Sequence, residues 1–237
     1  MAATMNTRNC LLRCGLILGL ALSLVTAPTT PAADTDSLLA SWLAAQTNIH
    51  GWSADFIQTR TFKSLAQPLV STGHVWFAEP NRFHWELGKP PQTIAVKAAT
   101  ALLVIYPRLK RVERYPVTGA EAGQWREALA LLEAGFPRSE AELTARFKIL
   151  SKTVHDGSFE MALEPRSPSA RKMMPEFKVA FKVSDLSLLA TELQFAGGST
   201  IRNQFTNAVL NPKIDPELFD PKIGPEYKIT EPLKAGP

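Results

Sequence analysis

The stretch from Thr72 to Leu87, TGHVWFAEPNRFHWEL, predicts a β-hairpin around which the rest of the chain is organised. Aromatic and β-branched residues dominate both flanks, as is typical of paired strands. Between them, Pro80 fixes φ at the first central position of a tight turn, and Asn81 tolerates the second. The hairpin is therefore expected to turn at residues 79–82.

The expected register gives this hairpin one large apolar face. A two-residue turn at Pro80 and Asn81 places Trp76 opposite Trp85, and side chains then alternate between the two faces. One face consists of His74, Trp76, Ala78, Phe83, Trp85 and Leu87. The other consists of Val75, Phe77, His84 and Glu86. Such an aromatic surface is covered either by the protein's own core or by a hydrophobic ligand, and the pattern alone leaves both open.

The N-terminus has the features of a secretory signal peptide. Arg8 and Arg13 supply positive charge, and the apolar run Leu16–Val25 is too short to span a bilayer as a stable helix. Small residues then offer a cleavage site after Ala32 or Ala33.

Removal of this leader would change the chemistry of the chain. We expect residues 1–33 to be cleaved, with an uncleaved anchor as the alternative, and residues 34–237 to fold as a single domain. The two cysteines, Cys10 and Cys14, lie in the leader, so the mature protein would have neither a disulfide nor a thiolate. The formal net charge of +4 would fall to +2, which is too mild to indicate a nucleic-acid partner. Export without disulfides fits a soluble, monomeric protein of the bacterial periplasm.

Outside the hairpin, the first half of the chain predicts one helix and a series of strands. Asp34–Asn48 has apolar residues at helical spacing behind several capping residues, which predicts a helix. Strand candidates then recur about every ten residues, which indicates an antiparallel meander. They are Trp52–Phe62, the two arms of the hairpin, Thr93–Lys97, Leu102–Tyr106 and Leu109–Tyr115.

A helical insert then interrupts the strands. Glu121–Ala134 repeats apolar residues on one helical stripe, which is made of Trp125, Ala128, Leu129 and Leu132. Ser139 and Glu142 have the spacing of a capping box, which predicts a second, shorter helix.

Strands resume after the insert. Asp156-Gly157 is a strong hairpin turn between the strand candidates Ala145–Val154 and Ser158–Leu163. The basic stretch Pro165–Pro175 is expected to be a mobile loop. The remaining strand candidates are Phe177–Val183, Leu188–Phe195 and Ser199–Phe205.

These elements predict an α+β fold. A sheet with this many strands must curl on itself, which gives an incomplete antiparallel β-barrel. The apolar helices need a partner, and the concave side of the curled sheet provides one.

A search for reactive groups favours a binding protein over an enzyme. The histidines are not at metal-ligand spacing, and the expected register separates His74 from His84 on opposite faces. The sequence has neither a nucleophile elbow nor a phosphate-binding glycine loop. We therefore predict no catalytic residue, no metal site and no cofactor.

Several short motifs match a known family. They are Asp55-Phe56-x-Gln58, Gly73-His74-Val75-Trp76-Phe77, Pro80-Asn81-x-Phe83-His84-Trp85, the stretch from Ile94 to Tyr106-Pro107, and Asn211–Asp215 followed by Phe219. In these motifs, and in the order of helix, strands, helical insert and strands, the chain resembles the LolA family, the periplasmic carriers of outer-membrane lipoproteins.

The resemblance implies an incomplete barrel with a cavity for acyl chains and a helical lid. It implies loading from an inner-membrane ABC-type release complex, unloading to an outer-membrane acceptor, and acylated lipoproteins or other lipids as cargo. The candidate cavity residues are Trp76, Phe83, Trp85, Leu87, Val104, Tyr106, Trp125, Leu129, Leu132 and Phe181.

One departure from the family concerns the lid. The family often has an arginine immediately before the hairpin proline, where it helps to latch the lid. Here that residue is Glu79, so the latch candidates are Glu79 and the nearby Arg82. Three interpretations stay open: a lipoprotein carrier, a related carrier of another lipid such as a glycolipid or a pigment, and a non-enzymatic regulatory module that senses lipid.

Overall fold

One sheet dominates the computed structural model, which describes residues 34–98, 100–117 and 137–232. Its strands are Gly51–Thr61 (β1), Leu69–Ala78 (β2), Arg82–Leu87 (β3), Thr93–Lys97 (β4), Ala101–Tyr106 (β5), Arg111–Pro116 (β6), Phe147–His155 (β7), Ser158–Pro165 (β8), Glu176–Lys182 (β9), Leu188–Gln194 (β10), Thr200–Leu210 (β11) and Lys228–Thr230 (β12). The helices are Thr35–Gln46 (α1), Glu140–Arg146 (α2) and Pro168–Met173 (α3). Short 3-10 turns span Pro107–Leu109 and Pro216–Phe219. The predicted helix Glu121–Ala134 and the predicted leader lie outside the described residues.

The strand order is β12-β6-β5-β4-β3-β2-β1-β11-β10-β9-β8-β7. Neighbouring strands are antiparallel except for β12, which lies parallel to β6. Because β12 and β7 stand at the two ends of this order, the sheet is not closed. The predicted α+β fold, with an incomplete antiparallel barrel, is confirmed.

The sheet is strongly curled. Strands β5 and β9 are seven strand spacings apart, which would be about 34 Å in a flat sheet. Leu102 of β5 and Phe177 of β9 nevertheless line the same cavity of about 270 Å³. We call the concave side of this curl the inner face and the convex side the outer face.

Helix α1 covers part of the inner face. Asp34 caps the helix, because its Oδ1 accepts a hydrogen bond from the backbone N–H of Asp36 at 3.1 Å. The buried ring of Trp42 stacks on Phe181 with the ring centroids 5.0 Å apart, and Phe181 stacks on Phe159 at 4.6 Å. Each such side chain contributes about 1.5–3 kcal/mol by burial. The core of the protein therefore lies between α1 and strands β8 and β9.

The second half of the chain follows the predicted local signals with one exception. Ser139 Oγ accepts from the N–H of Glu142 at 3.1 Å, which confirms the predicted cap of α2, while Glu142 Oε2 accepts from the N–H of Arg138 at 3.1 Å and not from that of Ser139. The turn at Asp156-Gly157 has φ values of 49° and 72°, which confirms the hairpin. The expected loop in Pro165–Pro175 is instead helix α3, since Ser167 caps it and the proline after Ser167 suits the first helical position.

The register of the central hairpin differs by one residue from the expected one. Its turn has three residues, 79–81, so Trp76 pairs with His84 and not with Trp85. Asn81 has a φ of 67°, the left-handed conformation that three-residue hairpin loops use. Because side chains alternate along a strand, one extra turn residue moves every side chain of β2 to the opposite face.

This shift in register exchanges the two faces of β2. Val75 and Phe77 now belong to the inner face, and both border its cavity. Trp76 lies on the outer face, where its ring is 4.1 Å from that of His74 and 5.3 Å from that of His84. The expectation that Trp76 shares a face with Trp85 is therefore wrong, and so is the separation of the two histidines.

The closing segment, residues 211–230, occupies the outer face. The buried His84 donates from Nδ1 to the carbonyl oxygen of Leu218 at 2.6 Å. The guanidinium of Arg82 lies 5.0 Å from the centre of the buried Phe219 ring. The segment then reaches β6 and pairs with it as β12. With the outer face of β3 covered in this way, the inner face is the one that offers a cavity.

Candidate functional site

An apolar cavity of about 270 Å³ lies on the inner face. Its apolar wall consists of Trp52, Val75, Phe77, Phe83, Trp85, Ala95, Leu102, Phe177, Leu188, Leu193, Ile201 and Phe205. These residues come from strands on both sides of the β1–β11 pair. A concave site lined by aromatic and aliphatic groups is the kind that binds apolar ligands.

Aromatic packing beside β1 shapes one wall of the cavity. The ring of Trp85 lies 4.0 Å from that of Phe56 and 6.4 Å from that of Phe205. Phe56 can lie flat against β2 because its cross-strand neighbour is Gly73. Any Cβ at Gly73 would clash with the Phe56 ring and with the carbonyl oxygen of Glu86. The glycine of the hairpin motif thus makes room for the aromatic wall.

A row of polar side chains interrupts this apolar wall. Gln58 Nε2 donates to Asn203 Oδ1 at 3.0 Å, and Asn203 Nδ2 donates to Thr191 Oγ1 at 3.3 Å. All three residues line the cavity, and Asn203 is only 6% exposed. We did not identify this row from the sequence. The alternation of Trp52, Phe56 and Gln58 along one strand was the signal that could have found the first member.

A second polar group lies on the inner face of β5 and β6. Tyr115 donates to Glu113 Oε2 at 2.9 Å, Tyr106 donates to the same oxygen at 3.3 Å, and Arg111 lies 3.2 Å from Glu113 Oε1. Burial, reinforced by the Glu113 carboxylate, raises the pKa of Tyr115 to about 12. The same two causes raise the pKa of Tyr106. The candidate residue Val104 is on this face too, paired with Ala95 of the cavity wall.

Glu79 joins the hairpin tip to the helices. Its carboxylate forms an ion pair with Arg138, which lies just before α2. Its Oε2 is also 2.7 Å from Nδ1 of His50, which lies between α1 and β1. Arg82, the other latch candidate, is directed elsewhere, since its Nη2 donates to the Glu79 carbonyl oxygen at 2.9 Å and its plane covers Phe219. Glu79 is therefore the candidate that contacts the segment leading out of the insert.

A polar cleft of about 450 Å³ adjoins this ion pair. Its charged lining includes Glu79, Arg138 and Glu142. Phe77 and Asn81 line both this cleft and the apolar cavity. The two spaces are therefore neighbours on either side of the hairpin tip.

The structure separates the predicted cavity residues into five groups. Phe83 and Trp85 line the cavity. Leu87 packs against the hydrophobic core, and Phe181 lies within it. Trp76 is on the outer face, whereas Val104 and Tyr106 lie on the inner face of β5. Trp125, Leu129 and Leu132 lie outside the described residues.

The outer face carries a polar group of its own. Asp55 accepts from Asn207 Nδ2 at 2.9 Å, and its other oxygen is 2.8 Å from His74 Nδ1. These two hydrogen bonds, that of Asn207 first, lower the pKa of Asp55. Within residues 34–98, 100–117 and 137–232, no set of three His, Cys, Asp or Glu side chains is placed to hold a metal ion. In the same ranges, no helix has the length and apolar character of a membrane span.

Comparison with known proteins identifies relatives of this chain. A family model described as "Outer membrane lipoprotein carrier protein LolA" matches residues 47–222. An outer-membrane lipoprotein carrier protein of Chromohalobacter salexigens is 26% identical over 172 residues, which cover 73% of this chain and 76% of that protein. Two solved structures are similar over most of their length. An uncharacterized conserved protein from Thermus thermophilus has a TM-score of 0.46 and 8% identity, over 83% of this chain and 98% of that one. A LolA superfamily protein from Nitrosomonas europaea has a TM-score of 0.39 and 11% identity, over 79% and 98%.

Proposed function

Because this chain belongs to the LolA family of outer-membrane lipoprotein carriers, we propose that it carries acylated lipoproteins by holding their acyl chains in the inner-face cavity. The observation that supports this proposal is the cavity itself, which is apolar and bordered by Phe83 and Trp85. A packed core would leave no such space between facing aromatic side chains.

The proposed cargo binds without covalent chemistry. Acyl chains replace water at the cavity wall, and each buried methylene contributes about 0.8 kcal/mol. The walls come from both halves of a curled sheet, so a chain that enters is contacted on opposite sides. Binding and release therefore need only a change in access to the cavity, and no residue is assigned a catalytic role.

The helical insert is proposed to control that access. Its apolar stripe, Trp125, Ala128, Leu129 and Leu132, needs an apolar partner, and the inner face offers one. The ion pair of Glu79 with Arg138 ties the hairpin tip to the end of this insert. Glu79 holds the position at which the family often has an arginine, and this ion pair supports Glu79 as the latch.

Family membership and the predicted leader support a proposal for the cellular route. We propose that residues 1–33 direct export and are removed, and that the mature domain, residues 34–237, acts as a monomer in the periplasm. An inner-membrane ABC-type release complex would load it, and an outer-membrane acceptor would receive the cargo.

The decisive experiment identifies what the protein holds. The mature chain is purified from the periplasm without detergent, extracted with organic solvent, and analysed by mass spectrometry beside a Phe83→Glu variant. We expect acylated peptides in the wild-type extract and their loss from the variant. A different lipid in the same cavity would make the protein a carrier of that lipid. An extract without any acylated molecule, from protein that also fails to take up added lipid, would contradict the carrier function.

A further inference from the structure

The inward side chains of β1 change in character along the strand. Trp52 and Phe56 are buried and apolar, Gln58 lines the cavity with its amide, and Arg60 comes next on the same side. Alternate residues of a strand are about 6.6 Å apart. Along its inner side, β1 therefore presents two aromatic rings, then the amide of Gln58, and then the guanidinium of Arg60, about 6.6 Å from the amide.

Arg60 faces aliphatic neighbours and no acid. Its cross-strand partners are Leu69 on β2 and Ile201 on β11, and Ile201 lines the cavity. Its Nε is buried without a hydrogen-bond partner. In the part of the chain that the structure describes, Arg60 forms no ion pair. Arg60 is partly buried, and a guanidinium that keeps one buried N–H without a partner favours an anionic ligand.

A neighbouring arginine shows the contrast. Arg202 is one register position away, opposite Thr59, and so points to the outer face. Its Nη1 lies 3.1 Å from Glu192 Oε2, so its charge is matched within the protein. Among the described residues, the outward-facing Arg202 therefore has an acidic partner, whereas Arg60, beside the cavity, has none and keeps a buried Nε without a hydrogen bond.

The polar row supplies the intermediate part of the site. In the chain from Gln58 through Asn203 to Thr191, the Gln58 amide oxygen and the Thr191 hydroxyl proton remain for a ligand. These groups suit the hydroxyl and ester groups of a glycerol linkage.

We propose that the cavity binds a phosphate-bearing amphiphile. Its acyl chain lies along the aromatic wall, its glycerol linkage contacts the polar row, and its phosphate pairs with Arg60. The glyceryl anchor of a lipoprotein bears no phosphate, so this ligand is distinct from the proposed lipoprotein cargo. The inference rests on the proposed function only for the acyl-chain site.

The test compares two lipids that differ only in the phosphate. Binding of 1-oleoylglycerol and of 1-oleoylglycerol 3-phosphate to the delipidated mature protein is measured through tryptophan fluorescence, below the concentration at which either lipid aggregates. A charge-assisted hydrogen bond predicts about tenfold tighter binding of the phosphate form. Arg60→Gln should abolish this preference, Arg60→Lys should keep most of it, and Arg202→Gln, the matched control on the outer face, should leave it unchanged. Inorganic phosphate alone should not displace the lipid.

The outcomes separate this inference from the carrier function. Equal binding of both lipids to the wild type would overturn the phosphate site and leave the carrier function intact. Failure of the wild type to bind either lipid would contradict the carrier function itself. Displacement by inorganic phosphate alone would show a site for the free ion and overturn the amphiphile. If Arg60→Gln lowers the thermal midpoint, the wild-type comparison and Arg60→Lys still decide the question.

Discussion

Phe83 and Phe181 provide a test of whether the inner face holds a ligand or only a core. Both are inner-face phenylalanines, but Phe83 is half-buried beside the cavity and Phe181 is fully enclosed between two stacked rings. Phe181→Ala leaves a new void and should lower the free energy of unfolding by about 3–5 kcal/mol. Phe83→Ala enlarges a space that already exists. Because Phe83 is only half-buried, its substitution should lower the free energy of unfolding by about 1 kcal/mol, half of what full burial of a phenylalanine contributes.

Phe83→Glu extends this test to binding. In the empty protein the carboxylate meets water, so folding should be retained with a loss of about 1 kcal/mol. Against a bound acyl chain the same carboxylate loses its water, which should cost at least about 3 kcal/mol, a more than hundredfold loss of affinity.

The assays are urea unfolding for stability and fluorescence titration with 1-oleoylglycerol for binding. In a domain of this size, each kcal/mol should also move the thermal midpoint by about 2–4 °C. If Phe83→Glu destabilises the protein as much as Phe181→Ala, then Phe83 is a core residue. If it folds and still binds 1-oleoylglycerol with wild-type affinity, the acyl chain lies elsewhere.

Three further predictions concern the glycine, the ion pair and the buried phenol. Gly73→Ala should lower the free energy of unfolding by about 1–3 kcal/mol, because the new methyl displaces the Phe56 ring. Unchanged urea unfolding would show that the Phe56 ring is not tightly packed. Glu79→Arg should lower the free energy of unfolding by up to about 1 kcal/mol, and combining it with Arg138→Glu should restore that stability. A double-mutant cycle that shows no coupling between the two residues would contradict a latch made by this ion pair. Since the pKa of Tyr115 is raised from 10.0 to about 12, the unfolded chain loses this proton first, and stability should fall as pH rises from 10 to 12. Tyr115→Phe should reduce that fall and shrink the late step in the tyrosinate absorbance titration, leaving the part that comes from Tyr106, whose pKa is also raised. A titration that finishes near 10 would contradict the burial of the phenol.

The sequence predicted strands and caps well, because those signals are local. The hairpin turn at Asp156-Gly157 and the helix cap at Ser139 depend on a few adjacent residues, and both are present. The face of Trp76 depended on the exact length of the adjacent turn at 79–81, and the residue types at Pro80 and Asn81 did not determine that length. A miscount of one residue was enough to reverse a strand, since side chains alternate with a period of two.

The binding site was harder to predict than the fold. Phe83 and Trp85 were identified from their own strand, whose faces the turn did not alter. Asn203 and Thr191 reach the cavity only because β11 and β10 lie across the sheet from β3. No local pattern distinguishes such a buried amide from one at the surface, because the difference is made by strands far away in the sequence.

The pairing of β1 with β11 has a consequence for how the protein assembles as its chain is made. Strands β2 to β6 and β7 to β11 are joined to their neighbours by short connections, which close quickly. The two halves are joined by the pairing of β1 with β11, in which Trp52 lies opposite Leu210. This pairing can form only when almost the whole chain is present. Both halves contribute walls to the cavity. The complete cavity therefore forms last, and a partly synthesised chain offers a lipid only half of it.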